Sequence, residues 1–236
     1  MLTISHFSKT YKGGKRAVDD LSLHIAPGEI VGFIGHNGAG KSTTLKACAG
    51  VLPFEEGEIT IGTHSMKKEP LACKQEMAFV PDNPDLYEYL TGAQYLNFVS
   101  DMYRVGKERR ARIERYTGEM EIDTALGDLI SSYSHGMRQK LALCAALVHE
   151  PRLLLLDEPF VGLDPKAAHT CKNFMRELCG RGGAIFFSTH VLEVAQSLCD
   201  RVAIIKDGHL LVEGETQTVC RDESLESVFL ELTEDA

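Results

Sequence analysis

The chain has 236 residues, of which 44% are hydrophobic, and its formal net charge is −9. This length and apolar content are enough for one large α/β core, and the acidic balance argues against a nucleic-acid partner, which requires clustered Lys and Arg. The seven scattered cysteines have no C-x-x-C spacing, which argues against a zinc or redox centre. Because the sequence shows no signal segment and no long apolar run, the protein is predicted to be soluble and cytosolic.

The first part of the chain predicts an antiparallel layer followed by a strand, a loop and a helix. Residues 2–7 and 18–25 alternate apolar and polar side chains, which is typical of antiparallel strands with one buried face. The short apolar run at 29–34 predicts a buried strand. Residues 41–49 predict a helix that ends at Gly50. The loop of this βα unit lies at the carboxyl end of the strand, where α/β sheets bind ligands.

That loop has the spacing of a phosphate-binding loop: a glycine, four free residues, then Gly-Lys-[Ser/Thr]. It consists of Gly35, His36, Asn37, Gly38, Ala39, Gly40, Lys41, Ser42 and Thr43. The glycines let backbone N–H groups turn inward around an anion, Lys41 would act on the β- and γ-phosphates, and Ser42 would offer a hydroxyl to Mg²⁺. A flexible glycine-rich turn is the alternative, but the strand before and the helix after favour the phosphate-binding loop.

The remainder of the chain divides into a helical block and a second alternating series. Strands are predicted at 58–61 and 77–80, and helical patterns extend from 91 to 148. The last third predicts strands at 153–156, 184–187, 202–205 and 209–212, helices at 165–179, 191–199 and 224–232, and a hairpin turn at Asp207-Gly208.

These elements predict a single α/β domain over 1–236 with a P-loop NTPase core. The core, 1–86 and 151–236, would hold a mostly parallel sheet flanked by helices together with an antiparallel β layer. Residues 87–150 would form an inserted helical subdomain.

A second set of candidate residues follows the apolar run 153–156. Asp157 and Glu158 come directly after it, where a phosphate-loop enzyme needs one acid for Mg²⁺ and one for water. Asp157 would hold the metal, and Glu158 would orient or deprotonate the water that attacks the γ-phosphate. A helix N-cap role for these acids is the alternative.

The order and spacing of these motifs resemble those of the nucleotide-binding subunit of an ATP-binding cassette (ABC) transporter, of the export-type branch. The resemblance covers almost the whole chain. It rests on Tyr11, the loop 35–43, Val80-Pro81, a signature at Tyr133-Ser134-His135-Gly136-Met137, the pair Asp157-Glu158, a loop at Gly162-Leu163-Asp164 and a switch at Ser188-Thr189-His190.

The resemblance implies further roles at these positions. Tyr11 would stack on adenine, Ser134 and Gly136 would contact a γ-phosphate held by the other subunit, Asp164 would line the dimer contact, and His190 would sense the γ-phosphate. Each has a simpler alternative: an unstacked surface ring for Tyr11, a helix N-cap for Ser134, and a purely structural role for His190.

Two departures from the family pattern change what can be expected. The signature has Tyr133, His135 and Met137 where the family commonly has Leu, Gly and Gln. Asp82 stands where a Gln usually reaches Mg²⁺ and the attacking water. Asp82 is therefore predicted either to bind Mg²⁺ through water or only to shape the turn Pro81-Asp82-Asn83-Pro84.

The resemblance implies a Mg²⁺-dependent ATPase with ATP and Mg²⁺ as cofactors. It would dimerise head to tail with a second ABC subunit and drive separate polytopic membrane subunits for export, from the cytoplasmic face of the membrane, with motion passing through residues 87–90. A soluble, non-transport ABC switch on ribosomes or DNA and a P-loop kinase are the alternatives. The basic run from Arg104 to Arg115 predicts a solvated helix face, or else a contact with anionic headgroups or an acidic partner.

Overall fold

Two β-sheets and a set of helices make up the part of the chain that the computed structural model describes, residues 1–221 and 223–234. The strands are β1 (Leu2–Thr10), β2 (Arg16–Ile25), β3 (Ile30–Ile34), β4 (Glu56–Ile61), β5 (His64–Ser65), β6 (Met77–Val80), β7 (Leu153–Asp157), β8 (Ala184–Thr189), β9 (Arg201–Lys206) and β10 (His209–Glu215). The helices are α1 (Lys41–Cys48), α2 (Pro70–Glu76), α3 (Gly92–Met102), α4 (Arg109–Glu119), α5 (His135–Leu147), α6 (Pro165–Gly180), α7 (Leu192–Leu198), α8 (Thr216–Cys220) and α9 (Leu225–Glu234). Short 3₁₀ turns occur at Asp123–Ala125 and Ile130–Ser132.

The central sheet has the strand order β10-β9-β3-β8-β7-β6, and every pairing is parallel except that of β10 with β9. Strands β3, β7 and β8 are buried at every residue because both faces of the sheet are covered there. In β7, Leu154 and Leu156 belong to one hydrophobic cluster, whereas Leu153 and Leu155 belong to the other. The sheet is therefore the wall between two cores, which explains the uninterrupted apolar runs in the sequence.

The second sheet is antiparallel, in the order β2-β1-β4-β5, and it confirms the predicted antiparallel layer. Its inner face contributes Leu2, Ile4 and Phe7 to the cluster that also contains Leu45 of α1. The predicted strand at 58–61 lies in this sheet as part of β4. The antiparallel sheet thus closes the core on the α1 side of the central sheet.

Helices α3, α4 and α5 lie between β6 and β7, in the block where helical patterns were predicted. Ion pairs tie α4 to the rest of the chain: Arg112 Nη2 lies 2.7 Å from Glu150 Oε2, and Arg115 contacts Glu177 of α6. In the same basic run, Arg109 pairs with Asp101 and Arg110 pairs with Glu114. These pairings favour the solvated-face interpretation of the run over a contact with anionic headgroups.

The short elements α2, β5 and α8 were not predicted. Helix α2 begins with Pro70 at its first position, a start signal that its weak apolar periodicity obscured. All seven cysteines are buried without disulfide partners, and burial raises the pKa of each thiol, so their place in the structure is that of packed core side chains. Across 1–221 and 223–234, every helix is too short or too polar to cross a membrane.

Candidate functional site

The phosphate-binding loop connects the end of β3 to the start of α1 at the carboxyl edge of the central sheet. Gly40, the residue before α1, has φ +113°, and a Cβ there would lie 2.6 Å from the carbonyl oxygen of Ala17. Only glycine fits this backbone. No side chain caps the amino end of α1, and its first turn has no acidic residue, so its N–H groups face the loop without a side-chain acceptor.

Lys41 is the first residue of α1, and its side chain lies along the loop. It is only 6% exposed, and Nζ donates hydrogen bonds to the carbonyl oxygens of Gly35 at 2.5 Å and His36 at 3.2 Å. Burial lowers the pKa of Lys41, while the nearby Glu158 and Asp157 oppose this shift. The loop therefore holds a buried positive charge close to the N–H groups of α1.

Asp157, the last residue of β7, is fully buried beside Ser42. Its Oδ1 accepts hydrogen bonds from Ser42 Oγ at 3.0 Å and from Ser188 Oγ at 2.6 Å. Its Oδ2 is buried with no hydrogen-bond partner. A buried carboxylate oxygen without a partner is costly, so this atom is suited to a cation or to a water bound by one.

Glu158 is held in the left-handed region, with φ +48°, just beyond the strand. Its N–H donates to the carbonyl oxygen of Ser188 at 3.2 Å and to Ser188 Oγ at 3.0 Å. Its Oε1 lies 3.0 Å from His190 Nδ1 and 3.9 Å from Lys41 Nζ. The N-cap alternative is wrong for both acids, because the following helix, α6, is capped by Asp164.

An open cleft of about 460 Å³ lies above the loop. It is lined by Tyr11, Lys12, Lys15, Ala17, His36, Asn37, Gly38, Gly40, Lys41, Ser42, Thr43, Asp82 and Glu158. Tyr11 is 40% exposed, and its hydroxyl lies 3.1 Å from Thr43 Oγ1. Lys12 and Lys15 were not singled out from the sequence, although two basic residues in a turn next to an aromatic candidate could have suggested them.

Asp82 follows β6 and reaches the same cleft. Within the described part of the chain, its carboxylate forms no hydrogen bond and no ion pair that would fix the turn 81–84. The turn-shaping interpretation requires such a bond to the backbone. The position of Asp82 therefore favours a role toward a ligand in the cleft.

The signature residues lie elsewhere. Ser134 caps α5 by accepting a hydrogen bond from the Met137 N–H at 3.2 Å, so it does have the capping role considered above. A Cβ at Gly136 would lie 2.6 Å from the carbonyl oxygen of Gly162, so the signature packs tightly on the 162–164 loop of its own chain. Neither Ser134 nor Gly136 is among the residues that line the cleft.

The structure explains one departure in the signature. The ring of Tyr133 is buried, and its hydroxyl donates to the carbonyl oxygen of Ala125 at 2.6 Å. A Cβ at Gly92 would collide with that hydroxyl. Tyr133 therefore fastens the start of the signature to the helical block, a packing role that leaves Ser134 and Gly136 unaltered.

Asp164 has two partners in its own chain. Its Oδ1 accepts from the Ala167 N–H at 2.9 Å, capping α6, and its Oδ2 lies 2.7 Å from Lys140 Nζ of α5. The Lys140 ammonium and the Ala167 N–H lower the pKa of Asp164 to about 2. The loop that packs on the signature is thus also tied to the signature helix by an ion pair.

Comparison with known proteins identifies the family. A family model described as ABC transporter matches residues 18–161. The chain is 35% identical over 224 residues to the linearmycin resistance ATP-binding protein LnrL of Bacillus subtilis, a match that covers 93% of this chain and 71% of that protein.

Solved structures agree in fold. An ATP-binding subunit of an ABC transporter is 32% identical, with a TM-score of 0.94 and coverage of 99% of both chains. The ATP-binding cassette MJ0796, solved as a dimer in a post-hydrolysis state with ADP and Pi, is 26% identical, with a TM-score of 0.83, over 92% of this chain and 99% of that chain. The chain therefore belongs to the ABC transporter family as an ATP-binding subunit, and the predicted family and fold class are confirmed.

Proposed function

We propose that this subunit hydrolyses ATP with Mg²⁺ in the cleft above the phosphate-binding loop, and that the hydrolysis drives export by separate membrane subunits. The observation that carries the proposal is the convergence of Lys41, Asp157, Glu158 and His190 at one edge of the sheet. ATP hydrolysis is further supported by the ADP and Pi in the related cassette MJ0796.

The triphosphate would lie on the loop between Gly35 and Thr43. The uncapped N–H groups of α1 and the Lys41 ammonium attract the β- and γ-phosphates, and the Lys41 Nζ would exchange its loop carbonyls for phosphate oxygens. Tyr11, at the rim of the cleft, would stack on the adenine ring, with Lys12 and Lys15 beside it to attract the anion.

The residues present fit a Mg²⁺ ion bound together with ATP. Among residues 1–221 and 223–234, no group of three or more His, Cys, Asp or Glu could hold a metal alone. Mg²⁺ bound with a nucleotide needs fewer protein ligands, because phosphates and waters supply the rest. Ser42 Oγ and the unpartnered Oδ2 of Asp157 would hold it, with Asp82 reaching it through water. When bound, the ion neutralises charge that develops on the phosphates.

Glu158 would act as the general base for the attacking water. A carboxylate oxygen takes one proton as the water oxygen bonds to the γ-phosphorus, and the bond to the β–γ bridging oxygen breaks, giving ADP and phosphate. His190 Nδ1, 3.0 Å from Glu158 Oε1, would orient this carboxylate and contact the γ-phosphate. The Ser188 backbone and hydroxyl fix the Glu158 N–H, which keeps the base at the strand end.

The second half of each site would come from another ABC subunit. Ser134 and Gly136 lie outside the cleft lining of their own chain, whereas Ser134 sits at the amino end of α5, a favourable place for an anion. A head-to-tail dimer would bring these residues onto the γ-phosphate of its partner, with Asp164 at the dimer contact. We also propose that 87–150 is a subdomain that carries this signature and moves relative to 1–86 and 151–236.

The membrane subunits would contact the segment after Asp82. A groove of about 480 Å³ is lined by Phe79, Leu86, Tyr95, Val99 and Tyr103, among others. The exposed ring of Tyr87 packs against Tyr95 of this lining and against the exposed rings of Tyr89 and Phe98. The segment is linked to the signature, because the Ser131 N–H donates to the Glu88 carbonyl at 3.1 Å and Arg138 Nη1 lies 3.0 Å from Glu88 Oε1. The chain would therefore work on the cytoplasmic face of the membrane, and the resistance named for LnrL favours export.

The enzyme proposal is tested by measuring phosphate release from ATP by the purified chain with Mg²⁺ and with EDTA. We expect turnover only with Mg²⁺, and none from Lys41→Ala at the same ATP concentration. Turnover that is unchanged in EDTA would contradict the metal assignment. Turnover that is unchanged in Lys41→Ala would contradict the site.

The membrane proposal is tested by purifying the tagged chain from detergent extracts of its native cells. We expect a polytopic membrane protein to copurify with the wild type and to be lost with Tyr89→Glu. Leu71→Glu is the matched control, because Leu71 is about as exposed as Tyr89 but lies on α2 and not in the segment after Asp82. Equal recovery with all three proteins would contradict docking at this groove.

A further inference from the structure

The C-terminal helix α9 contacts the phosphate-binding loop through one pair of rings. The rings of His36 and Phe229 have their centroids 4.8 Å apart at an interplanar angle of 61°, which is an edge-to-face arrangement. Phe229 is 6% exposed and belongs to the cluster that covers one face of the central sheet. His36 is exposed and lines the cleft. A buried residue near the end of the chain thus supports an exposed residue of the loop.

Helix α9 is fastened on both sides of Phe229. Near its start, the Leu225 N–H donates to Gln196 Oε1 at 3.0 Å, and the Leu225 side chain is fully buried. Near its end, Lys206 Nζ donates to the carbonyl oxygen of Thr233 at 2.7 Å. Because Phe229 lies between these two fixed points, its ring can hold the exposed ring of His36 in place.

The main chain of His36 takes part in the loop that binds phosphate. Its carbonyl oxygen accepts hydrogen bonds from Lys41 Nζ at 3.2 Å and from the Ala39 N–H at 3.2 Å. A displacement of the His36 backbone would also move its ring away from Phe229, so the ring contact opposes such a displacement. The ring contact therefore restrains the part of the loop that carries the Lys41 charge.

We infer that Phe229 is a positioning residue for nucleotide binding, which holds the loop in its binding conformation through His36. This role rests on the proposed nucleotide site and concerns only the conformation of the loop before ATP binds. Aromatic pairs of this kind shift an equilibrium constant by about two- to ten-fold. Without the contact, a smaller fraction of molecules would have the loop in its binding conformation. The apparent affinity for ATP would then fall by the same roughly two- to ten-fold.

The test is a double-mutant cycle on ATP affinity, measured by calorimetry on the full chain with Phe229→Leu, His36→Ala and the double variant. Leucine keeps most of the buried apolar volume but removes the ring. We expect Phe229→Leu to weaken ATP binding about two- to ten-fold in the wild-type background and to have no further effect when His36 is already alanine. We also expect kcat to stay within about two-fold while KM rises, since the loop is normal once ATP is bound.

Leu230→Ala is the matched control, because Leu230 is the exposed neighbour of Phe229 on α9 and should leave ATP affinity unchanged. Equal weakening by Phe229→Leu in both backgrounds, or none in either, would overturn the inference. Failure of the wild type to bind ATP would instead overturn the nucleotide site itself.

If Phe229→Leu does not fold, hydrogen exchange gives the answer without that variant. ATP should slow amide exchange in α9 of the wild type but not of His36→Ala, where the ring contact is removed from the exposed side. An ATP effect on α9 that is the same in both proteins, or absent from both, would overturn the inference.

Discussion

The phosphate-binding loop and the signature differ in how their chemistry is held. Around the loop, Lys41 and Asp157 are buried, and each is fixed by hydrogen bonds at the edge of the central sheet. At the signature, Ser134 is exposed and is fixed only as a helix cap. The side chains around the loop are already held in place without a nucleotide, whereas the signature exposes the Ser134 hydroxyl and the amino end of α5 to solvent. Under the proposed function, a single chain would therefore contain two unequal halves of a site.

This difference has an energetic basis. Buried charges act strongly on a phosphate because little water screens them, but they must be paired to remain stable. Lys41 satisfies this need with two carbonyls and the nearby Glu158, whereas Asp157 satisfies it only at Oδ1, with two serines. The exposed Ser134 hydroxyl stays hydrated and therefore does not incur the free-energy cost of a buried charge. In the proposed head-to-tail dimer, the Ser134 hydroxyl would therefore stay exposed until another subunit supplies the phosphate.

The largest loss of ATPase activity should follow from a substitution beside the phosphate-binding loop. Glu158→Gln keeps the side chain's size and removes the base, so we expect kcat to fall by about 10²–10⁴-fold while ATP binding is retained. The trapped ATP should hold two subunits together. Size-exclusion chromatography should therefore show an ATP-dependent dimer of the variant.

Lys41→Ala is the comparison for that experiment, because it should lose nucleotide affinity and give no ATP-dependent dimer. Charge-assisted hydrogen bonds contribute about 1.5–3 kcal/mol each, so its affinity should fall by at least ten-fold. Undiminished turnover by Glu158→Gln would rule out its role as base.

The region around the phosphate-binding loop was also the easier one to predict. The phosphate-binding loop is a local pattern, and the meeting of Asp157 with the 188–190 segment follows from parallel pairing, since Asp157 pairs with Ser188 in the β7–β8 register. Burial on both faces of the sheet made its strands recognisable as apolar runs. The roles assigned to these residues remain predictions.

Other features depend on packing between distant parts of the chain and have no local signal. The Tyr133 hydroxyl reaches the Ala125 carbonyl through a space that Gly92 leaves open, and Lys140 pairs with Asp164 across two helices. The contact of His36 with Phe229 joins residues near opposite ends of the chain. None of these pairs is visible as a spacing or a periodicity.

A complementation experiment asks whether the two halves meet across subunits. Lys41→Ala and Ser134→Arg should each be inactive alone, because one damages the loop half and the other the signature half. In a mixed dimer, one composite site keeps an intact loop and an intact signature. At equal mixing we expect hydrolysis to return to about a quarter of the wild-type rate, from half of the dimers having one good site of two.

The matched control mixes Lys41→Ala with Glu158→Gln. Both changes damage the loop half, so every composite site in this mixture contains a defect and no activity should return. Recovery in the control, or no recovery with Ser134→Arg although mixed dimers are present, would contradict the head-to-tail arrangement.

The smallest expected effect concerns Asp82, which lies between the nucleotide cleft and a second groove. It lines the nucleotide cleft and also the groove proposed for the membrane subunits. Its carboxylate accepts only, so it can attract Mg²⁺ through water and repel the γ-phosphate when the metal is absent. At a separation of one or two waters in a solvated cleft, this repulsion is about 1 kcal/mol, a few-fold in affinity.

We therefore expect Asp82→Gln to bind ATP a few-fold more tightly than the wild type in EDTA and about equally at saturating Mg²⁺, with Asp82→Asn behaving in the same way. Calorimetric titration of ATP at graded Mg²⁺ concentrations measures this. Asp85→Asn is the control, because Asp85 is an exposed acid of the same segment that lines the groove but not the cleft. If neither Asp82→Gln nor Asp85→Asn changes the dependence of ATP affinity on Mg²⁺ concentration, the metal assignment of Asp82 is wrong. Asp82 would then act only in the turn, and Ser42 and Asp157 would be the protein's only metal ligands in the cleft.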